Sequence, residues 1–270
     1  MESDGEVIIV RHNKLRDLLN AGQPTIGTHL HSTWPSIVEV VGHTGMFDYV
    51  EFVAEYAPFD LYALDNFCRA VELSDMSAMI KIEVPSRFLA QRAVGSGFQS
   101  VLFADCHTIE EVRECVCVAR PDTPQDGGYF GAATRRMTYM GYGGGPDYVQ
   151  ALRDVVVVMM IEKESAVNHL EEILSVDGID MIQWGPTDYS MSIGRPGARH
   201  SPEVKKVERQ VIETCLRMGV PPRAEIGSVD EAKYYLDLGV RHFCIGTDIA
   251  ILYQWLRQNG EGLRKVVSDF

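Results

Sequence analysis

No apolar run in this chain approaches the roughly 18 residues that a membrane-spanning helix requires, and no Cys-x-x-Cys pair occurs among its six cysteines. Cys68, Cys115, Cys117 and Cys215 fall in helical patterns and Cys244 in an apolar strand run, as expected of reduced, buried small side chains. The stretch Met1 to Val10 is acidic and lacks the apolar core of a signal peptide, so the expected location is cytoplasmic. Positive charge is also in short supply. Against 38 Asp and Glu stand 25 Lys and Arg, a net charge of -13, which argues against nucleic acid as a partner. No Gly-x-Gly-x-x-Gly follows the first strand, so a dinucleotide site of the doubly wound kind is not indicated.

What the chain does have is a repeated alternation of short apolar runs and segments of helical periodicity. Strands are expected at Thr25–His31, Asp48–Val53, Ala78–Glu83, Ser100–Asp105, Val155–Glu162, Ile179–Trp184, Pro222–Ile226 and His242–Gly246. Helices follow them, opened by cap residues such as Thr108, Ser201 and Ser228. Gly97, Gly178, Gly219 and Gly239 stand where helices stop. Eight such units in 270 residues predict a single (β/α)8 TIM barrel spanning 1–270, with an open doubly wound sheet as the alternative. The stretch from Pro121 onward, rich in Gly, Pro and Tyr, is expected to form a long active-site loop around 121–150. A last helix is expected from about Ile249 to Trp255, followed by a short tail.

In a barrel, polar residues at the C-terminal ends of strands are candidates for chemistry. Here these are His29 and His31, Glu51, Glu55 and Tyr56, Lys81 and Glu83, Asp105 and His107, Glu162, Asp188, Arg223 with Glu225, and Asp248. Glu162 and Asp188 stand out because they follow consecutive strands, whose ends lie about 4.8 Å apart in a parallel sheet. Two hard oxygen donors at that spacing, with Gly185-Pro186 forcing a turn before the second, suit a divalent cation. Structural roles compete at the other positions: helix capping for Asp105 and Asp248, an ion pair with Glu83 or Glu51 for Lys81, solvated loop positions for Arg135 and Arg136, and core packing for Met159 and Met160.

Four stretches carry a family resemblance that runs from Gly27 to about Leu256: Glu55-Tyr56-Ala57-Pro58, Glu162-Lys163-Glu164-Ser165-Ala166, Gly185-Pro186-Thr187-Asp188-Tyr189-Ser190 and Gly246-Thr247-Asp248. With Gly178-Ile179-Asp180 they make the chain resemble the class II pyruvate-dependent aldolases, typified by 4-hydroxy-2-oxo-heptanedioate aldolase and 2-dehydro-3-deoxyglucarate aldolase. The resemblance implies a phosphoenolpyruvate/pyruvate-type barrel in which Glu162 and Asp188 bind Mg2+, Mn2+ or Co2+. It implies that the ion chelates a small 2-oxo acid, that Gly185, Pro186 and Thr187 line the substrate carboxylate, with amides at Thr187 and Asp188 holding it, and that the reaction runs through an enolate. It also implies a homo-oligomer, often a hexamer with exchanged helices.

Four positions depart from the family pattern. Tyr56 replaces a histidine base, Val53 the aspartate that orients that base, Lys81 an arginine and Met160 a glutamine. A phenol, with an ordinary pKa near 10, is a poor base at neutral pH. His29 stands where family members carry an aromatic residue, and is the candidate replacement base, with Tyr56 as a donor and Lys81 as the third catalytic residue. Arg136, on the long loop, is the candidate for a substrate carboxylate. The activity so indicated is a metal-dependent carbon–carbon lyase. The alternatives are decarboxylation of an oxaloacetate-like acid, a Schiff base at Lys81, and a barrel that binds without catalysis.

Overall fold

In the computed structural model, which describes residues 11–84, 86–132 and 143–269, eight parallel strands close into a barrel in sequence order. The strands are β1 Thr25–Leu30, β2 Tyr49–Val53, β3 Ser77–Glu83, β4 Ser100–Ala104, β5 Val156–Ile161, β6 Met181–Trp184, β7 Pro222–Ile226 and β8 His242–Thr247. The helices begin with α1 Lys14–Asn20, α2 Pro35–His43, α3 Leu61–Glu72, α4 Arg87–Ser96, α5 Ile109–Ala119 and α6 Pro146–Arg153. They continue with α7 Glu164–Asn168, α8 Leu170–Leu174, α9 Pro186–Ser192, α10 Pro202–Met218, α11 Ala232–Asp237 and α12 Asp248–Ser268. The closed barrel is therefore what the eight alternations form, and the open sheet is not.

Alternation along each strand sorts side chains into two compartments. Phe52, Ile80, Phe103, Val157, Met159 and Ile161 point outward and pack under the helices. Tyr49, Met79, Leu102, Val156, Val158, Met160 and Met181 point inward and fill the lower barrel, which Leu15 of α1 closes from below. Gly27 is needed for this filling, because a Cβ there would lie 2.3 Å from the Tyr49 ring. One level higher the inward residues change character: His29, Glu51, Lys81, Gln183 and Arg223 are buried and polar. An apolar floor under a polar upper layer puts the chemistry at the C-terminal mouth.

Helix ends follow the caps read from the sequence. Thr108 and Glu111 form a reciprocal capping box at α5, and Ser201 caps α10 ahead of Pro202. Gly97, Gly178, Gly219 and Gly239 all take positive φ. The helical stretch after β5 is divided at His169 (φ -112, ψ 23) into α7 and α8.

Two expectations need correction. Residues 146–150 are helical, since Pro146 at the first position of α6 pre-sets its backbone. Residues 121–130 fold back on α5, with Tyr129 N donating to Cys117 O (2.8 Å) and Phe130 N to Arg120 O (3.0 Å). Arg135 and Arg136 lie outside the described residues. The final helix runs to Ser268 rather than to about Trp255. Gly260 and Gly262 would each cost about 1 kcal/mol in a helix interior, yet α12 continues through them, aided by the Arg257–Glu261 pair at 2.9 Å. Its apolar residues Ile249, Ile251, Leu252, Tyr253, Trp255, Leu256, Leu263, Val266 and Val267 are all exposed in the single chain.

Candidate active site at the barrel mouth

β5 and β6 pair in register, with Ile161 beside Trp184, so the two residues that follow, Glu162 and Gly185, are neighbours. Glu162 is 1% exposed and its Oε1 accepts a hydrogen bond from the Asp105 amide at 2.8 Å. Asp105 holds φ 59, the one positive φ of a non-glycine residue among the described residues, and this conformation turns its amide toward Glu162. The other oxygen faces Gly185. A Cβ at position 185 would lie 2.6 Å from Glu162 Oε2 and 2.8 Å from Met160 Cε, so only glycine leaves room for the carboxylate. Burial, with the Asp188 charge adding to it, pushes the Glu162 carboxyl up to about 7 despite the Asp105 amide, Lys81 and Lys163. Asp188 sits in the first turn of α9, where Pro186 has no N–H and the Thr187 and Asp188 amides open the helix.

A cavity of about 650 Å³ joins these groups, lined by Tyr56, Lys81, Gly185, Asp188, Arg223 and Glu225 among others. Lys81 Nζ lies 2.8 Å from Glu55 and 5.2 Å from the centre of the Tyr56 ring. Neither Glu83 nor Glu51, the partners expected from sequence, holds it. Glu51 is committed lower in the barrel, and the turn after β2 brings Glu55 over Lys81. Burial works against the Lys81 charge, but Glu55, Glu51 and Glu162 outweigh it and hold the amine protonated. Tyr56 is 60% exposed, and burial, its hydrogen bond with Glu55 and the Asp188 and Glu162 charges raise its pKa above the phenol value. Its hydroxyl therefore stays neutral.

His29 belongs to a closed ring of five side chains inside the barrel. Its Nε2 lies 3.0 Å from Glu51 and its Nδ1 3.4 Å from Glu225. Glu51 meets Arg223 at 2.5 Å. Arg223 Nε donates to Gln183 Oε1 (2.7 Å), and Gln183 Nε2 donates to Glu225 (3.0 Å), which closes the ring. Burial opposes ionisation of all four ionisable members. Even so, Cys244, Glu51 and Glu225 hold the His29 pKa well above the imidazole value, and Arg223 and His29 hold Glu51 below the carboxylate range. An imidazole facing two carboxylates carries both protons and offers no lone pair, so this arrangement makes His29 a proton donor and an anchor rather than a resting base.

Two donor sets therefore bear on a cation. His29, Glu51 and Cys244 present ligand atoms within 4.8 Å of one another, but their positive partner is already Arg223. Among the described residues no ion pair holds Glu162 or Asp188, although the Lys163 charge acts on both, and the raised Glu162 pKa is what an added positive charge would reverse. The second set fits a divalent ion.

Of the remaining candidates, Asp248 is the first residue of α12, whose N-cap is Thr247, and not its cap. Its carboxylate accepts from Ile249 N (2.8 Å), His31 N (2.9 Å) and Ser32 N (3.1 Å), fastening the loop after β1 to the end of β8. Asp105 caps nothing; its side chain pairs with Lys163. His31 lies beside Tyr56, ring centres 6.5 Å apart, while His107 N is bound by Glu111. Two residues were not singled out by sequence reasoning, Gln183 and Lys163. The glutamine inside the run Met181-Ile182-Gln183-Trp184 was the available signal.

A family model described as HpcH/HpaI aldolase/citrate lyase matches residues 25–250. A 5-keto-4-deoxy-D-glucarate aldolase of Klebsiella pneumoniae is 25% identical over 254 residues, 94% of this chain and 97% of that protein. A hydroxypyruvate/pyruvate aldolase of Agrobacterium fabrum is 27% identical over 248 residues, 91% of each. Among solved structures, an HpcH/HpaI aldolase from Desulfitobacterium hafniense superposes with a TM-score of 0.86 at 22% identity, covering 94% of this chain and 97% of that one.

Proposed function

The chain belongs to the HpcH/HpaI aldolase/citrate lyase family, and from that premise we propose that this enzyme cleaves or forms a carbon–carbon bond in a small 2-oxo acid through an enolate. The observation that carries the reading is the pairing of Glu162 and Asp188 at the mouth, the first strained toward neutrality behind Gly185 and the second lining the cavity. Mg2+, Mn2+ or Co2+ held by these two residues would supply Lewis-acid polarisation of the 2-oxo acid. The chain's own groups do the rest. Gly185 keeps the floor open, Pro186 starts α9 without an amide of its own, and the Thr187 and Asp188 amides receive the substrate carboxylate. Lys81, kept protonated by Glu55, faces the developing oxyanion in place of the family arginine, and Tyr56 donates a hydrogen bond beside it. A protonated amine is not a nucleophile, which argues against a Schiff base. Arg136 remains the candidate for a second substrate carboxylate.

The partners we propose are a 2-oxo acid and further copies of the same chain. Apolar residues exposed along one broad face of α12 support a homo-oligomer, for which the resemblance suggests a hexamer. Among the described residues no helix is long and apolar enough to cross a membrane. Cys106, Cys115, Cys117, Cys215 and Cys244 are free thiols, which supports a cytoplasmic location.

The test uses metal-stripped protein. Mg2+, Mn2+ or Co2+ with oxalate should raise its melting temperature, and Glu162→Gln and Asp188→Asn should not respond. Aldol formation from pyruvate and a panel of aldehydes should be abolished by EDTA. Borohydride trapping of pyruvate on Lys81 that persists in EDTA would overturn the reading.

A further inference from the structure

Most groups that could move a proton in this mouth are committed elsewhere, His200 included, whose Nε2 accepts from Arg199 Nε at 2.9 Å. Glu162 and Asp188 are the pair that fits a cation. Lys81 is an ammonium on Glu55, Tyr56 a neutral phenol, and His29 faces carboxylates with both nitrogens. Asp105 is held by Lys163, and Glu231, farther along the cavity, accepts from the Gly227 (3.0 Å) and Ser228 (3.2 Å) amides. Glu208 is buried and takes Lys205 (2.6 Å) and the Tyr235 hydroxyl (2.9 Å). Glu225 differs from all of them. It is the ring carboxylate that reaches the cavity: its side chain is 44% accessible, whereas Glu51 is fully buried. Its two oxygens are held from behind, Oε1 by His29 at 3.4 Å and Oε2 by Gln183 at 3.0 Å, and each retains acceptor capacity toward the cavity.

We propose that Glu225 is the proton-transfer group of this site, with His29 and Gln183 as its positioning residues. In the cleavage direction its carboxylate takes the proton of the substrate hydroxyl as the carbon–carbon bond breaks. The bonding pair stays on the 2-oxo acid as its enolate, and the hydroxyl carbon leaves as a carbonyl. The same proton is then delivered to the enolate carbon, which leaves Glu225 ionised again. No other reactant is required. The arrangement also explains the substitution pattern of the mouth. With Tyr56 where a base would stand, a second acceptor must enter from another strand, and β7, the neighbour of the strand that leads to Asp188, provides it in the same cavity. Burial opposes the Glu225 charge, but His29 outweighs it and keeps the group ionised, in the accepting form, at neutral pH.

This inference rests on the lyase reading, and the experiment separates the two. Metal-loaded enzyme and pyruvate are mixed in heavy water, and loss of the methyl protons is followed by proton NMR. Wild type should exchange them. Glu225→Gln should exchange about 10²-fold or more slowly, while its metal- and oxalate-dependent rise in melting temperature stays at the wild-type value. Glu225→Asp, which keeps the carboxylate, should regain part of the rate and guards against misfolding of the amide variant. A metal-free readout accompanies these: the NMR titration midpoint of His29 should fall in Glu225→Gln. Exchange by Glu225→Gln within about threefold of wild type, or an unmoved His29 midpoint, overturns the role of Glu225 and leaves the lyase reading standing. A wild-type protein that neither exchanges pyruvate nor responds to metal overturns both.

Discussion

Glu162 is held in the native protein at an energetic disadvantage, and Glu162→Gln should expose its size. Moving a carboxyl from its ordinary 4.5 to about 7 costs the ionised form about 3 kcal/mol, at 1.36 kcal/mol per pH unit. The side chain is 1% exposed, so solvent screening removes little of this. The sign follows from proton uptake. Between about pH 4.5 and 7 the native state holds a proton that the unfolded chain has released, so stability falls as pH rises through that window and stays low above it. A glutamine keeps an oxygen for the Asp105 amide and never ionises. In EDTA at pH 8.5, Glu162→Gln should therefore be more stable than wild type by up to about 3 kcal/mol, a rise of about 6–12 °C in melting temperature for a domain of this size. At pH 4.5 the gap should close. Adding Mn2+ at pH 8.5 should stabilise wild type and leave the variant where it was. Paired thermal melts at the two pH values make the measurement. A variant no more stable than wild type at pH 8.5, or one with the same advantage at both pH values, would refute the claim that ionised Glu162 is strained.

Gly185→Ala should keep the barrel but lose about 1–3 kcal/mol and the metal response, because its Cβ would fall 2.6 Å from Glu162 Oε2; chemical denaturation with and without Mn2+ reads both. Arg223→Met should cost about 3–5 kcal/mol in urea melts, since it strands the fully buried Glu51. Adding Glu51→Leu should recover much of that loss, and a double variant that is worse still would contradict the pairing. Ending the chain after Gln254 should leave a folded barrel of lower assembly mass by light scattering, and an unchanged mass would show that the outer part of α12 is not an interface.

The strands were legible because parallel strands covered on both faces read as apolar runs; β5, buried at all six positions, is the clearest case. Glu162 and Asp188 were legible for the same reason, since their nearness follows from the order of two strands. Pairings across the barrel were not. Glu51 and Arg223 sit on β2 and β7, and nothing local in either strand specifies the other, so the ring could be read only as scattered polar residues in apolar runs. Lys81 was given the wrong partners because its choice depends on the turn after β2, which returns Glu55 to the mouth. The length of α12 was underestimated because glycine signals a stop wherever tertiary context is unknown.

The ring of Glu51, His29, Glu225, Gln183 and Arg223 also constrains descent. Its buried ion pair, Glu51 and Arg223, cannot drift singly, since losing either member leaves an uncompensated charge inside the barrel. A lineage could enter or leave this arrangement only by an ordered path, exchanging Gln183 or the cavity-facing Glu225 first and the Glu51–Arg223 pair together. Relatives that share Tyr56 and Lys81 are accordingly expected to carry the whole set of five, and relatives with the histidine base to carry none of the buried pair. A single alignment of such sequences, sorted by the residue at position 56, would display the two populations.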